Sequence, residues 1–337
     1  MRLCYIRVNR PRRRFGSVTP VSRRLAVMAH YDHRGGVGPH VRRQVESVAA
    51  AVDRMIVVST AALTDESRAW LDERVELVER PNYGYDFTSY QVGLHRAGLA
   101  GDLTSYDEVV ICNDTYVPVT PYDTIFAAMA DQPVDFWGLT RTERVAPHVQ
   151  SFFVAFRPWV IGSATFRRFW TGLDPLSTRR QVIMQHEVGL SGGLHCAGFR
   201  SGSYFRETDS DRRLARRRVR WWAAHRPGLT RTRAGLDTFR DRAREPWNPS
   251  AALADRALDG GRLPYVKLDT LRFDPYGLGA DKLLTYCEEL LPDAFAGVRE
   301  FMEDTAVFYP PRPTEKLRPT PPALVPLRRQ VEYRRVP

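Results

Sequence analysis

The chain has 337 residues and 43% hydrophobic composition, enough for one full enzyme core with additions. No run approaches the roughly 18 apolar residues of a membrane-spanning helix. The start, Met1 to Arg7, lacks the apolar stretch of a signal peptide, so a cytoplasmic location is expected. The net charge of +11 is almost all arginine, with lysine only at Lys267, Lys282 and Lys316. Such a ratio fits a GC-rich coding bias better than a surface built for nucleic acid, so nucleotide phosphates or an anionic membrane are the expected anionic partners.

Residues 1–22 read as an irregular basic arm. Leu25 to Ala29 is a short buried strand ending in His30-Tyr31-Asp32, and Pro39 to Val52 carries apolar residues at helical spacing. Met55 to Ser59 is the next strand and Asp65 to Glu73 the next helix, with Thr64 as its N-cap. Val75 to Val78 leads into the turn Arg80-Pro81-Asn82-Tyr83-Gly84-Tyr85-Asp86, a helix runs from about Phe87 to Leu99, and a strand ends in Cys112-Asn113-Asp114-Thr115. This alternation predicts an α/β fold, a mostly parallel sheet with helices on both faces. Val134–Thr140 and Gln150–Phe156 read as further strands, Thr165–Gly172 as a short helix and Arg179–Ala197 as a helix interrupted at its glycines. Phe199–Phe205 reads as a closing strand, Asn248–Leu258 as a helix, Tyr265–Phe273 as extended, and Asp281–Met302 as one or two helices. Eight prolines between Pro310 and Pro337 argue against a packed tail.

Ligands of open α/β sheets collect beyond the carboxyl ends of strands, where the polar clusters fall. Asp32 is either a ribose- or base-binding carboxylate or a turn former. Asn82, Tyr83 and Asp86 suit a nucleotide pocket, with an Asx turn and helix cap as the alternative. A departing nucleoside diphosphate needs a divalent cation or fixed cationic donors, and one carboxylate plus an amide or hydroxyl can hold Mg²⁺. Asp114, beside Asn113, is therefore the candidate metal ligand, for Mg²⁺ or Mn²⁺. Displacement at an anomeric carbon needs a base, and Glu187 in His186-Glu187 is the candidate. His148, before a hydrophobic strand, could contact donor or acceptor. The four cysteines have neither zinc nor disulfide spacing.

The ordered segments Ala29-His30-Tyr31-Asp32, Arg80 to Phe87, Cys112 to Thr115, Asp135 to Thr140, His148 to Phe153, Glu187 to Ser191 and Leu263 to Arg272 resemble the rhamnan synthesis protein F family. The resemblance, running from about Leu25 to Pro275, implies rhamnosyl transfer in bacterial surface polysaccharide synthesis on a GT-A-like fold. Against the GT-A pattern Asp114 takes the metal position and Glu187 the base position, while His30, Asp32, Arg80, Asn82, Tyr83, Asp86 and Asn113 fall on the donor side and His148 beside the base. This chain offers one acidic residue at the metal position where the pattern has two.

The expected organisation is the basic arm 1–22, a GT-A-like domain 23–205, an arginine-rich insert with a helical and irregular C-terminal region 206–309, and the tail 310–337. The expected partners are a nucleotide-sugar donor and a glycan or lipid-linked acceptor. A helix from Asp211 to His225 places Trp221 and Trp222 beside a basic face. It is either an interfacial helix on an anionic leaflet or an amphipathic helix docked on the core.

Overall fold

The computed structural model describes residues 23–99, 101–226, 232–310, 320 and 322–335. The basic arm 1–22 lies outside the described residues. The chain runs β1 (Arg24–His30), α1 (Pro39–Ala49), β2 (Arg54–Ser59), α2 (Asp65–Asp72), β3 (Glu76–Glu79), α3 (Tyr85–Arg96), β4 (Glu108–Asn113), β5 (Tyr116–Pro118) and α4 (Tyr122–Ala130). Then come β6 (Phe136–Gly138), the two-residue strands β7 (Arg141–Thr142) and β8 (His148–Val149), and β9 (Phe153–Phe156). The last strands are β10 (Ser201–Ser203) and β11 (Tyr265–Lys267).

Seven strands form one sheet in the order β10-β6-β9-β4-β1-β2-β3, with only β9 antiparallel to its neighbours. The expected mostly parallel sheet with helices on both faces is present. The middles of its central strands, Leu25–Ala29, Met55–Val58 and Val109–Cys112, are apolar at every position because both faces are covered. Leu25, Val27, Ile56, Val58, Val109 and Ile111 pack under Phe87, Tyr90 and Leu94 of α3 and under Phe166 and Trp170. The alternate residues, Ala26, Met28, Met55, Val57, Val110 and Cys112, pack against α1, α4 and the C-terminal region. At Gly93 α3 lies so close to the sheet that a Cβ would come within 2.3 Å of Val27 Cγ1.

The strands β1 and β4 are adjacent, while the chain moves from β1 outward through β2 and β3 before returning to β4. Between the ends of β1 and β4 the strand order therefore reverses, which opens a crevice at the carboxyl ends. The register pairs Ala29 with Asn113, so the two polar strand ends emerge side by side.

Several local expectations need correction. Arg179 to Cys196 stays helical through Gly189, Gly192 and Gly193, because Leu190 and Leu194 are buried against the core and tertiary packing outweighs glycine's low propensity. Only β11 is extended in Tyr265–Phe273; Leu268–Phe273 is a helix. β5 and α4 are two further elements, with Pro118 and Pro121 bracketing the link between them. The proline-rich tail does pack in part: Val325–Arg329 is helical, and Val331 and Tyr333 are buried in the main core. Residues 311–319 of that tail lie outside the described ones.

The arginine-rich helix spans Asp209–His225 and starts with a capping box between Thr208 and Asp211. It is docked on the core through Leu214, Ala215, Val219 and Trp222, and Trp221 packs against that core as well. The tryptophan wedge of an interfacial helix is thus not presented to solvent, because the apolar face is already used. Arg218 is fully buried and all five of its N–H groups are satisfied. They donate to Val331 O (2.7 Å), Ala252 O (2.8 Å), Glu332 O (2.9 Å), Asp255 Oδ1 (2.8 Å) and Asp255 Oδ2 (2.7 Å). Arg213, Arg217 and Arg220 remain exposed on the outer face. Among the described residues no helix is long and apolar enough to cross a membrane.

Candidate active site

The crevice at the ends of β1 and β4 is lined by His30, Tyr31, Asp32, His40, Asp114, Thr115, Leu268, Asp269, Arg272, Phe301 and Tyr309. Tyr31 N–H donates to Asp114 Oδ2 at 2.7 Å, which ties the two strand ends together. Asp32 Oδ1 accepts from Arg34 N–H at 2.7 Å, in the local turn that was the alternative reading of this residue. His30 and His40 are buried beneath, and burial holds their pKa values down to about 4 and about 3, so both are neutral. His30 Nδ1 lies 3.0 Å from Ser59 Oγ, and His40 Nε2 3.1 Å from the Asp114 carbonyl. Both act as supports of the strand ends.

The turn before α3 reaches the same place. Gly84 adopts φ +71° at the N-cap, and Tyr85 follows at φ +56°, a conformation side chains resist. Arg80 secures this bend by donating to Pro81 O (2.9 Å), Tyr83 O (2.7 Å) and Tyr85 O (3.0 Å), and to Ser89 Oγ. Its guanidinium donates within the loop and so fixes the bend that carries Asn82, Tyr83 and Asp86. Asn82 and Tyr83 are exposed on the rim. Asp86 turns inward and accepts from Asn113 Nδ2 at 2.6 Å, joining the α3 turn to the β4 end. Burial raises the Asp86 pKa despite that bond.

Glu187 ends a π-helical turn, Val182–Glu187, inserted between Arg179–Gln181 and Val188–Cys196. Such an insertion re-phases the helix and recurs at functional positions. Glu187 Oε2 accepts from the Ser151 N–H at 2.9 Å and from the Ser151 hydroxyl, and Oε1 lies 3.1 Å from His148 Nε2. Burial alone would raise its pKa, but these donors outweigh it and hold the carboxyl below its ordinary value. His148 Nδ1 lies 2.8 Å from the Ala146 carbonyl, which can only accept. With an acceptor oxygen at each ring nitrogen, the surroundings favour the charged form of His148 beside the Glu187 carboxyl. Burial opposes that charge, but the bonds to Glu187 and Ala146 raise the His148 pKa overall. His186 faces the other way, packed on Phe87 in the core. Asp135 accepts from Trp159 and from the Arg200 N–H at the start of β6, the end of the sheet away from the crevice.

The remaining groups come from far along the chain. β11 pairs antiparallel with β5, setting Lys267 opposite Tyr116, and Leu268 N–H donates to Thr115 O at 3.1 Å. Lys267 Nζ then donates to Thr115 Oγ1 at 2.5 Å and sits 3.8 Å over the Phe152 ring. Arg179 pairs with Asp269 at 2.8 Å, and its charge is also felt by Asp86. Sequence reasoning did not assign Lys267, Arg179, Asp269, Arg272, Ser151 or Tyr309 to the site. One signal was available: Lys267 is one of three lysines in an otherwise arginine-using chain.

Asp114 shows what the crevice lacks. Burial, with Asp86 and Asp32 nearby and the Tyr31 N–H opposing, pushes its pKa up to about 7. A carboxylate so short of positive charge fits a hard divalent cation, which is commonly bound through one or two carboxylates plus substrate phosphates. Among the described residues no three His, Cys, Asp or Glu side chains are grouped to hold a metal by themselves. Asp114 would be the protein's ligand, and phosphate oxygens and water would complete the shell.

Residues 55–225, just over half of the chain, match the family described as rhamnan synthesis protein F. The chain belongs to the rhamnan synthesis protein F family. The matched stretch contains the α3 turn, Asp114, His148 and Glu187, whereas Lys267 and Arg272 lie beyond it. Among curated relatives, the chain is 24% identical over 199 residues to the uncharacterized protein y4gN of Sinorhizobium fredii, covering 56% of this chain and 50% of that one. It is 32% identical over 127 residues to the virulence protein VirA of Vibrio anguillarum, covering 36% of this chain and 40% of that one. This member of the family thus spans half or less of the length of the curated relatives it matches. Solved structures overlap loosely. A mannosyltransferase from Pyrobaculum calidifontis in complex with GDP-Man and Mn²⁺ aligns with a TM-score of 0.35 and 14% identity, covering 63% of this chain and 65% of that one. A nucleotidyl transferase from Methanothermobacter aligns with a TM-score of 0.34 and 13% identity, covering 54% and 86%. At such scores the overlap says nothing of the chemistry.

Proposed function

We propose that this protein is a glycosyltransferase that moves a hexose from a sugar nucleotide to a glycan or lipid-linked acceptor. The donor is dTDP-L-rhamnose and the anomeric centre inverts. The observation that carries this reading is the convergence at one topological switch point of Asp114, Asp86 and the Glu187–His148 pair with the cations of Arg179, Lys267 and Arg272. Asp86, Asn113 and the rim residues Asn82 and Tyr83 would hold the nucleotide side. A divalent cation bound at Asp114 would neutralise the diphosphate. In one displacement the acceptor oxygen bonds to the anomeric carbon, the carbon–oxygen bond to the phosphate breaks, and its electron pair leaves with the diphosphate. Glu187 takes the acceptor proton. Its depressed pKa makes it a weak base, which suits a transition state of oxocarbenium character, because the acceptor oxygen becomes acidic only as its bond to carbon forms.

A second reading is a nucleotide- or glycan-binding component without turnover, and it draws on the engagement of both Glu187 oxygens. Titration calorimetry against a panel of sugar nucleotides, followed by measurement of donor hydrolysis and transfer, separates the two. Transfer with wild-type protein, a loss of about 10²–10⁴-fold in turnover in Glu187→Gln, and an unchanged donor affinity support the enzyme. Binding without turnover supports the alternative, and binding of no sugar nucleotide overturns both. For a lipid-linked acceptor, the exposed Arg213, Arg217 and Arg220 would face an anionic leaflet from the cytoplasmic side by charge alone.

A further inference from the structure

We propose that Lys267 binds the diphosphate of the donor and carries part of the charge of the departing nucleoside diphosphate; this rests on the glycosyltransferase reading. The first observation is placement. The β5–β11 pairing and the Leu268 N–H bond to Thr115 O fix Lys267 on Thr115, the residue that follows the candidate cation ligand, and within electrostatic reach of Asp86 and Glu187. The second is its set of partners. Among the described residues its ammonium donates to a neutral hydroxyl, Thr115 Oγ1, and lies against the Phe152 face, and it donates to no carboxylate. Asp86, Glu187 and Asp269 act on it only through space.

A half-buried ammonium with three donors, held by one hydroxyl, is an expensive arrangement unless an anion completes it. The neighbouring cations Arg179 and Arg272 are committed differently. Arg179 is paired with Asp269, and Arg272 donates to Met302 O (2.9 Å) and Thr305 Oγ1 (2.6 Å). Lys267 is thus the cation of the site best able to turn to a phosphate oxygen. The same placement accounts for the short acidic motif: with one carboxylate at the strand end instead of two, a fixed ammonium supplies the missing neutralisation. When the anomeric carbon–oxygen bond breaks, the electron pair goes to the phosphate oxygen, and a cation already in place there needs no reorganisation.

The test is calorimetric binding of thymidine, thymidine monophosphate and thymidine diphosphate to wild type, Lys267→Met and Lys267→Arg, with near-UV circular dichroism as the check on folding. Thymidine diphosphate affinity should fall at least about tenfold in Lys267→Met while thymidine affinity changes less than about twofold, the loss growing with each phosphate. Lys267→Arg, which keeps the charge, should recover most of the diphosphate affinity. If the methionine variant does not fold, Lys267→Gln takes its place and should show the same selective loss of diphosphate affinity. Equal losses for thymidine and its diphosphate, or an unchanged diphosphate affinity in Lys267→Met, overturn the assignment of Lys267 and leave the transferase reading standing. Failure of wild type to bind any nucleoside diphosphate, in this panel or the wider one, overturns both.

Discussion

Replacing Arg218 by methionine tests how the C-terminal region is held together. The guanidinium is fully buried and makes five hydrogen bonds, two of them to Asp255, which is itself fully buried. Methionine keeps the apolar stem but leaves three carbonyls without these donors and strips Asp255 of its principal partner. Breaking a buried ion pair from one side typically costs about 3–5 kcal/mol. Asp255 would keep Arg256 at 3.5 Å and the Arg334 N–H at 3.3 Å, so a value near the lower end, about 3 kcal/mol, is expected. With an unfolding entropy of about 2.1 cal/mol/K per residue over the 337-residue chain, 3–5 kcal/mol corresponds to a fall in Tm of about 4–7 °C. Urea denaturation of wild type, Arg218→Met and the double variant Arg218→Met/Asp255→Leu would measure it. The double variant should recover part of the loss, because no charge is then stranded. A cost below about 1 kcal/mol for the single variant would refute the reasoning, and a double variant worse than the single would show that the carbonyls, not the carboxylate, carry the cost.

Gly93→Ala should destabilise the fold by about 1–3 kcal/mol and weaken nucleotide binding, because the new methyl would push α3 off Val27 and carry Asp86 away from Asn113; thermal unfolding and donor titration of the same samples check both. The His148–Glu187 pair sets a pH dependence with a definite sign. The folded-state pKa of His148 is raised, so the stability it contributes is full below its unfolded value and is lost as pH rises through the folded one. Stability and turnover should both decline on the alkaline side, and His148→Gln should flatten that limb in urea titrations; an unchanged alkaline limb would show that another group is responsible.

The parts of the fold legible in the sequence are those where local and global preferences agree. Every position of Leu25–Met28 and Val109–Cys112 is apolar because both sheet faces are covered, and Thr64 does cap α2 by accepting from the Ser67 N–H at 3.2 Å. Gly84 and the Asn-Asp-Thr end of β4 also declared themselves, since few residue types suit those turns. The failures share a cause. Leu268–Phe273 looks extended next to β11, yet it folds as a helix because Leu268 and Leu271 need the core. Gly189, Gly192 and Gly193 suggest a break that long-range packing of Leu190 and Leu194 overrides. Arg218 looks like one more solvated arginine among many, and only the fold reveals that Asp255 and the backbone near Val331 complete it. Lys267 falls in a segment that carries the family resemblance, but nothing local shows that it meets Thr115.

That meeting has a consequence for how the protein is made. The partners Lys267 and Thr115 lie 152 residues apart. At synthesis rates of about 5–20 residues per second, β5 emerges roughly 8–30 s before β11 exists to cover it. Throughout that interval the nascent chain shows an uncovered strand and a crevice that lacks Lys267 and the residues following it. Until β11 arrives, the bare β5 edge is a natural point for a chaperone to grip or for two nascent chains to stick together.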